Sequence, residues 1–560
     1  MISVRADNHR IQNMGALSKL LLLVILSSLL AAAPQALAAQ SPGKAPLILG
    51  VLDFPTSGAP GAQDAFARGV MLLHSFEYED ARSAFLEAQA IDPGFAMAIW
   101  GEAMTLNHPL WNRQNRTEAL EVLAKLPPPD VRKTTALEER FIDAVERLYG
   151  PGSKIDRDLA YREAMAEMHA DYPNDLEVAA FHALSILGSV YERDYRTYMQ
   201  AAAIAEQVFA KEPQHPGAAH YLIHSYDDQI HAPLGLRAAR AYSDIAPSAA
   251  HAQHMVSHIY TSLGRWDQVV EANRTAVRVS EESMLRAGRP KHMRNKHSLH
   301  WLEYALLQQG RYEDARETLQ IMREDVEALP DASNARHSAM MRASFVVEDS
   351  LVDSVLAPLG EIDAPLYYKV MDDFASAWIM FAKGSHADAR QVHARMQRRL
   401  AEAKVLTVEE GLHETESATS ADDFLMAGIV AREVEALLAF AAGHPARALE
   451  LLGEAVEDET GRPPYYGPPH IPKPSDELMG EMLLALDRPA EAAAMFEQSL
   501  ARNTNRTLSL VGLARARDAA EDPRAGETWA RIEAQWRNDP EAIRAISYPW
   551  LPQVRPNPAP

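Results

Sequence analysis

The feature that most narrows what this chain can fold into is a recurring helix break. Gly264-Arg265-Trp266-Asp267 and Gly310-Arg311-Tyr312-Glu313 each follow one amphipathic stretch and open another. Asp487-Arg488-Pro489-Ala490 and Glu521-Asp522-Pro523-Arg524 do the same, 34 residues apart. Between such breaks apolar residues recur at helical spacing, and no period-2 strand pattern stands out from about residue 62 onward. A fixed period of this length means short helical hairpins, each with an apolar stripe that only a neighbouring hairpin can cover. The predicted fold class is all-α, a solenoid of helix-turn-helix repeats.

The stretch Phe76-Glu77-Tyr78-Glu79-Asp80-Ala81-Arg82-Ser83-Ala84-Phe85-Leu86-Glu87-Ala88 closes at Ile91-Asp92-Pro93. It carries an aromatic, small alanines, a phenylalanine and a final proline at the spacing of the second helix of a tetratricopeptide unit. Gly310-Arg311-Tyr312-Glu313-Asp314-Ala315 and Pro489-Ala490-Glu491-Ala492-Ala493-Ala494-Met495-Phe496 repeat part of that pattern. On these residues the chain resembles the tetratricopeptide repeat superfamily over roughly residues 62–535 and looks like an exported bacterial member of it. The resemblance implies a right-handed superhelix whose first helices line a concave, ligand-holding groove. It implies a binding scaffold and no chemistry of its own. The pattern departs where Ile223, Ser257 and Glu303 replace the small residue near the end of three successive first helices.

Residues 20–33 form an apolar run after Arg5, Arg10 and Lys19, and Ala36-Leu37-Ala38 follows as a small-x-small cleavage pattern. The run is too short to cross roughly 30 Å of hydrocarbon as a helix. The expected organisation is a signal peptide over 1–38, an N-terminal extension over 39–61 and a first helical array over 62–279. A polar, basic insertion (280–296) leads into a second array over 297–547, interrupted by a proline-rich loop at 461–473, and residues 548–560 are expected to be disordered. A periplasmic or secreted location follows, with no membrane insertion after cleavage. The net charge of −22 argues against a nucleic-acid partner. The absence of cysteine removes disulfides, thiolate metal sites and a cysteine nucleophile.

Ten of the 21 histidines lie between His215 and His300. His220-Tyr221-Leu222-Ile223-His224 and His254-Met255-Val256-Ser257-His258 are one His-x-x-x-His pattern displaced by 34 residues. His251 and His254 recur as His297 and His300 after 46 residues, and the same offset carries Gly264 onto Gly310. Residues three or four apart on a helix are neighbours, so each pair can approach one centre. In the resembled family these levels of the first helix face the groove. The candidate metal ligands are His220, His224, His251, His254, His258, His297, His300 and Asp228. The cofactor they suit is a transition metal: zinc, copper, nickel or iron.

Three other readings stand beside it. A histidine-lined groove could hold a small ligand, or a protein or peptide partner, without metal. The histidines could form a structural polar seam, or a surface sensitive to protons. A metal-dependent hydrolase or oxidase would need a general base, which the His-x-x-x-His motifs lack; Glu303 is the candidate in that case. Asn273, an amide at a usually apolar position, is expected to orient His254 or His258.

Overall fold

The computed structural model describes residues 46–349, 356–406, 418–463, 465–548 and 550. The signal-peptide reading at 1–38 and all of the tail beyond Trp550 lie outside them. From Ile48 onward the chain is one compact unit. Among the described residues it contains 24 α-helices and two ladders of two-residue strands, so it is an all-α array of antiparallel helical pairs. No described helix is long and apolar enough to cross a membrane.

The helix breaks have a common physical form. Phe76, Gly264, Gly310, Gly384, Gly443, Asp487 and Glu521 all have positive φ, and each stands two residues after the end of a first helix. At Gly264 the amide donates to the carbonyl of Thr261, and the next amide, of Arg265, donates to Tyr260. The other six turns repeat those two bonds. This is the left-handed cap that satisfies the orphan carbonyls of a helix end, and glycine adopts it without strain. Phe76 is the unusual occupant, because a bulky side chain there costs about 1–3 kcal/mol.

The helices that build the site are α1 (Gln63–His74), α2 (Tyr78–Ile91), α7 (Leu176–Gly188), α9 (Pro216–Tyr226), α10 (Ala232–Ile245), α11 (Ala250–Ser262), α12 (Trp266–Arg286), α13 (Lys296–Gln308) and α15 (Ala332–Glu348). Each first helix is buried almost all round because hairpins cover it on both sides. Thus α9, α11 and α13 bury nearly every residue, whereas α12 buries one stripe including Trp266, Val269, Val270, Asn273 and Ala276.

Repeats do not touch only their neighbours. Ser283 and Arg289 reach Asp80 and Glu79 on α2, more than 200 residues away in sequence. Further along, Trp266 donates to the carbonyl of Asn505, and Gln308 bonds both the amide and the hydroxyl of Thr507. The array therefore curls until successive turns pack on one another. A Cβ on Gly264 would meet Asn505 at 2.5 Å, so that turn is held to glycine twice over.

The structure adds detail to three of the expected segments. Helix α12 runs to Arg286, so much of the 280–296 insertion is helical and only the stretch after it is loop. The N-terminal extension docks along the array, with Val51 donating to the carbonyl of Gln214 and Leu49 buried. Of the residues after Tyr548 only Trp550 is described; it is buried and its indole donates to Glu481 at 3.1 Å.

Candidate functional site

Seven of the eight candidate ligands sit on three successive first helices: His220 and His224 on α9, His251, His254 and His258 on α11, and His297 and His300 on α13. The structure sorts six of them into two groups of three. His220, His224 and His251 each offer a donor atom within 4.8 Å of the other two, and so do His254, His258 and His297. The ligand atoms that converge within a group are not at equivalent levels, although the equivalent rings of His224 and His258 also lie 5.9 Å apart. Each i,i+4 pair converges instead with the imidazole that opens the next first helix, because that side chain lies opposite the gap between the pair. The two triads are thus the same construction, one repeat apart.

Hydrogen bonds on the far side of three of the rings, His220, His254 and His258, fix where their protons are. The Nδ1 of His254 lies 2.7 Å from Asn273 Oδ1, and Asn273 donates its Nδ2 to the carbonyl of Val269, which assigns the amide's orientation. The Nδ1 of His258 lies 2.5 Å from Asp227 Oδ2, an acceptor whose other oxygen takes the hydroxyl of Ser262. Both Nδ1 atoms therefore carry hydrogen, and both Nε2 atoms are bare lone pairs in the neutral rings. Yet those two Nε2 atoms face each other at 3.1 Å. Two lone pairs cannot bond to each other. In the first triad His220 Nδ1 donates to the carbonyl of His74 at 2.6 Å, its Nε2 lies 3.0 Å from that of His224, and His251 Nε2 is buried with no partner.

Burial pushes the imidazoles of His220, His224, His251, His254 and His297 well below the usual histidine range, and their neighbouring rings push the same way. The paired histidines are shielded at this level, His220 and His254 being 0 % exposed and His224 9 % exposed, while His251 and His297 are partly exposed. Phe76 covers the first triad, its ring centroid 4.4 Å from that of His220, which gives the strained turn its packing reason. Trp301 lies 4.2 Å from His258. The proline-rich loop folds over Trp301. Its Gly467 has φ +77°, and a Cβ there would run into the indole, while Tyr466 bonds Tyr198 at 2.5 Å.

A third constellation, His74, Glu177 and His215, looks like a ligand set but closes on itself. Glu177 lies 2.8 Å from His74 Nε2 and 3.1 Å from His215 Nε2. The Tyr221 hydroxyl donates to His74 Nδ1 at 2.7 Å, and the Ala218 amide donates to His215 Nδ1. Burial alone would raise the Glu177 carboxyl, but the two imidazoles outweigh it and hold the group at about 2. Every polar atom of the two rings has a partner, so this trio is a structural network. It positions His74, whose carbonyl in turn holds His220. A Cβ on Gly217 would come within 2.5 Å of His74 Nδ1.

Two expected ligands fall outside the triads. Asp228 is occupied at the start of α10, accepting the amides of Ile230 and His231 and lying 2.8 Å from His231 Nδ1. Its neighbour Asp227 is the carboxylate that reaches the site. His300 sits beside His337 of α15, ring centroids 5.9 Å apart, and joins neither triad. Glu303 has no hydrogen-bond partner on either oxygen, and burial and then Glu348 raise its carboxyl well above the usual range. His337 and Glu177 were not singled out from sequence.

No protein-family model matches the sequence, and no curated protein matches it. Solved structures that it resembles include human IFIT1 in a dimer with m7Gppp-AAAA, at 11% identity over 83% of this chain and 94% of that one, TM-score 0.36. Yeast Tom70 is 11% identical over 86% of each chain, TM-score 0.27. The TPR domain of P58(IPK) is 14% identical over 82% of this chain and 98% of that one, TM-score 0.21. What the likeness concerns is the helical-repeat fold alone.

Proposed function

We propose that this chain is an exported repeat scaffold that holds a transition-metal ion at His254, His258 and His297. The observation that carries the reading is the pair of bare Nε2 atoms at 3.1 Å. A cation between them turns a repulsive contact into a bond. Two nitrogens each about 2.0–2.1 Å from a tetrahedral metal stand about 3.3 Å apart, close to the spacing seen. Asn273 and Asp227 supply the outer hydrogen bonds that fix tautomer and ring orientation in metal-binding histidines. An all-imidazole donor set suits zinc, copper, nickel or iron. The signal-like pattern at residues 20–38 supports export.

One further reading has an observation of its own. A single extra proton would also fill the gap, making His258 an imidazolium paired with Asp227. A proton serves two acceptors, whereas three donors converge here, and that favours the metal. Elemental analysis and calorimetric zinc titration of untagged protein decide between them. The metal reading expects at least one tightly held equivalent that His254→Ala removes. Protein that neither contains nor takes up metal sinks it and leaves the proton.

A further inference from the structure

The two triads share a wall. The rings of His224 and His258 lie 5.9 Å apart, and those of His251 and His254 lie 6.0 Å apart. Six imidazoles from α9, α11 and α13 thus form one continuous chamber, with Phe76 at one end and Trp301 at the other.

We infer that His220, His224 and His251 form a second transition-metal site, and that the two triads together make a dinuclear centre. The inference rests on the metal reading of His254, His258 and His297 and adds a second ion to it. Both triads have one plan: an i,i+4 pair with Nε2 atoms at 3.0 or 3.1 Å, and a third imidazole from the next first helix. In both, the first histidine of the pair is locked through Nδ1 by an acceptor that leaves its Nε2 bare. His251 adds a buried Nε2 with nothing to bond, an orphan that a bound ion would satisfy.

The sites differ in a way that orders their filling. His258 has the carboxylate of Asp227 behind it, which makes the ring a better donor and offsets part of the ion's charge. The outer acceptor of the first triad is the neutral carbonyl of His74, which backs His220 as Asn273 backs His254. The carboxyl of Glu77, beside that triad, is engaged by the backbone amide of His251. Two divalent ions held this close in a buried chamber also repel each other. The first ion therefore enters at His254, His258 and His297, and the second binds more weakly beside it.

The test is a zinc titration of chelator-stripped, untagged full-length protein against a chromophoric competitor, repeated with cobalt(II) for its absorption bands. The expected result is two equivalents, the second at least tenfold weaker. His220→Ala should lose only the weaker equivalent, His254→Ala only the tighter, and His300→Ala neither. Should His220→Ala fail to fold by circular dichroism, His224→Gln makes the same test with a smaller loss of volume. A single equivalent that His254→Ala removes and His220→Ala leaves intact overturns the second site while the first stands. Two equivalents that both survive His220→Ala also overturn it. No equivalent at all overturns both.

Discussion

The complete triads and the next level of the same array differ by one side chain. His251, His297 and His337 each stand 11 residues before the end of their helix, so α13 and α15 offer His300, Tyr304 and His337 where the previous repeat offers His254, His258 and His297. His300 and His337 do meet, with ring centroids 5.9 Å apart. Tyr304 replaces the second histidine of the pair, and its hydroxyl accepts from Arg506 at 3.2 Å. Arg506 is itself locked to Glu348 and Glu477. At this level the repeat no longer gathers nitrogen lone pairs; it anchors the next turn of the superhelix. One scaffold position thus presents a histidine to a triad in two repeats and serves closure of the array in the third.

That contrast is open to attack at several points. The largest effect is expected from His254→Ala, which removes one of three donors and should weaken metal binding by more than about 100-fold, since even outer-shell changes cost 10–100-fold. A loss under tenfold in competitive titration would mean the triad is not the binding unit. Next come Asp227→Asn and Asn273→Ala, which keep all three donors but release their orientation; each should cost roughly 10–100-fold. Equal affinity in either variant would separate the lone-pair geometry from ligation.

Acid should act through the same rings. An imidazole held below its ordinary value binds fewer protons folded than unfolded, so its contribution to stability is whole above about pH 6.5 and is lost as the pH falls. His220, His224, His251, His254 and His297 all belong to this class, and burial, followed by Arg336 and Lys296, takes His337 down to about 3. The melting temperature of the metal-free protein should therefore fall steeply between pH 6.5 and 5; a flat profile would show that the chamber is not buried and neutral. The smallest effect is the control. His300→Ala should leave metal affinity unchanged within a factor of two or so while lowering stability through the cavity it leaves.

Much of this was legible in the sequence because repeats print themselves twice. The turn signals at Gly264, Gly310, Asp487 and Glu521 mark real left-handed caps, since each break must supply the same backbone shape. The His-x-x-x-His pairs could be placed on first helices by their offsets, and Asn273 could be named because a buried amide needs a partner. What could not be read was how the levels interleave. The linear registration aligned His220, His254 and His300, whereas side-chain direction sends each pair toward the following helix's opening histidine. His337 escaped because its 40-residue step from His297 matches neither of the other spacings. Contacts such as His74 with Glu177, or Trp266 with Asn505, join residues 103 and 239 apart, and no local pattern encodes them.

The central claim is that a metal ion occupies the gap between two facing imidazole lone pairs. Anomalous diffraction from crystals grown with zinc, collected on both sides of the metal's absorption edge, reads this directly. The account predicts a strong peak about 2.0–2.1 Å from Nε2 of both His254 and His258. A chamber without a peak, or zinc found only on the protein surface or at His74, Glu177 and His215, would contradict it.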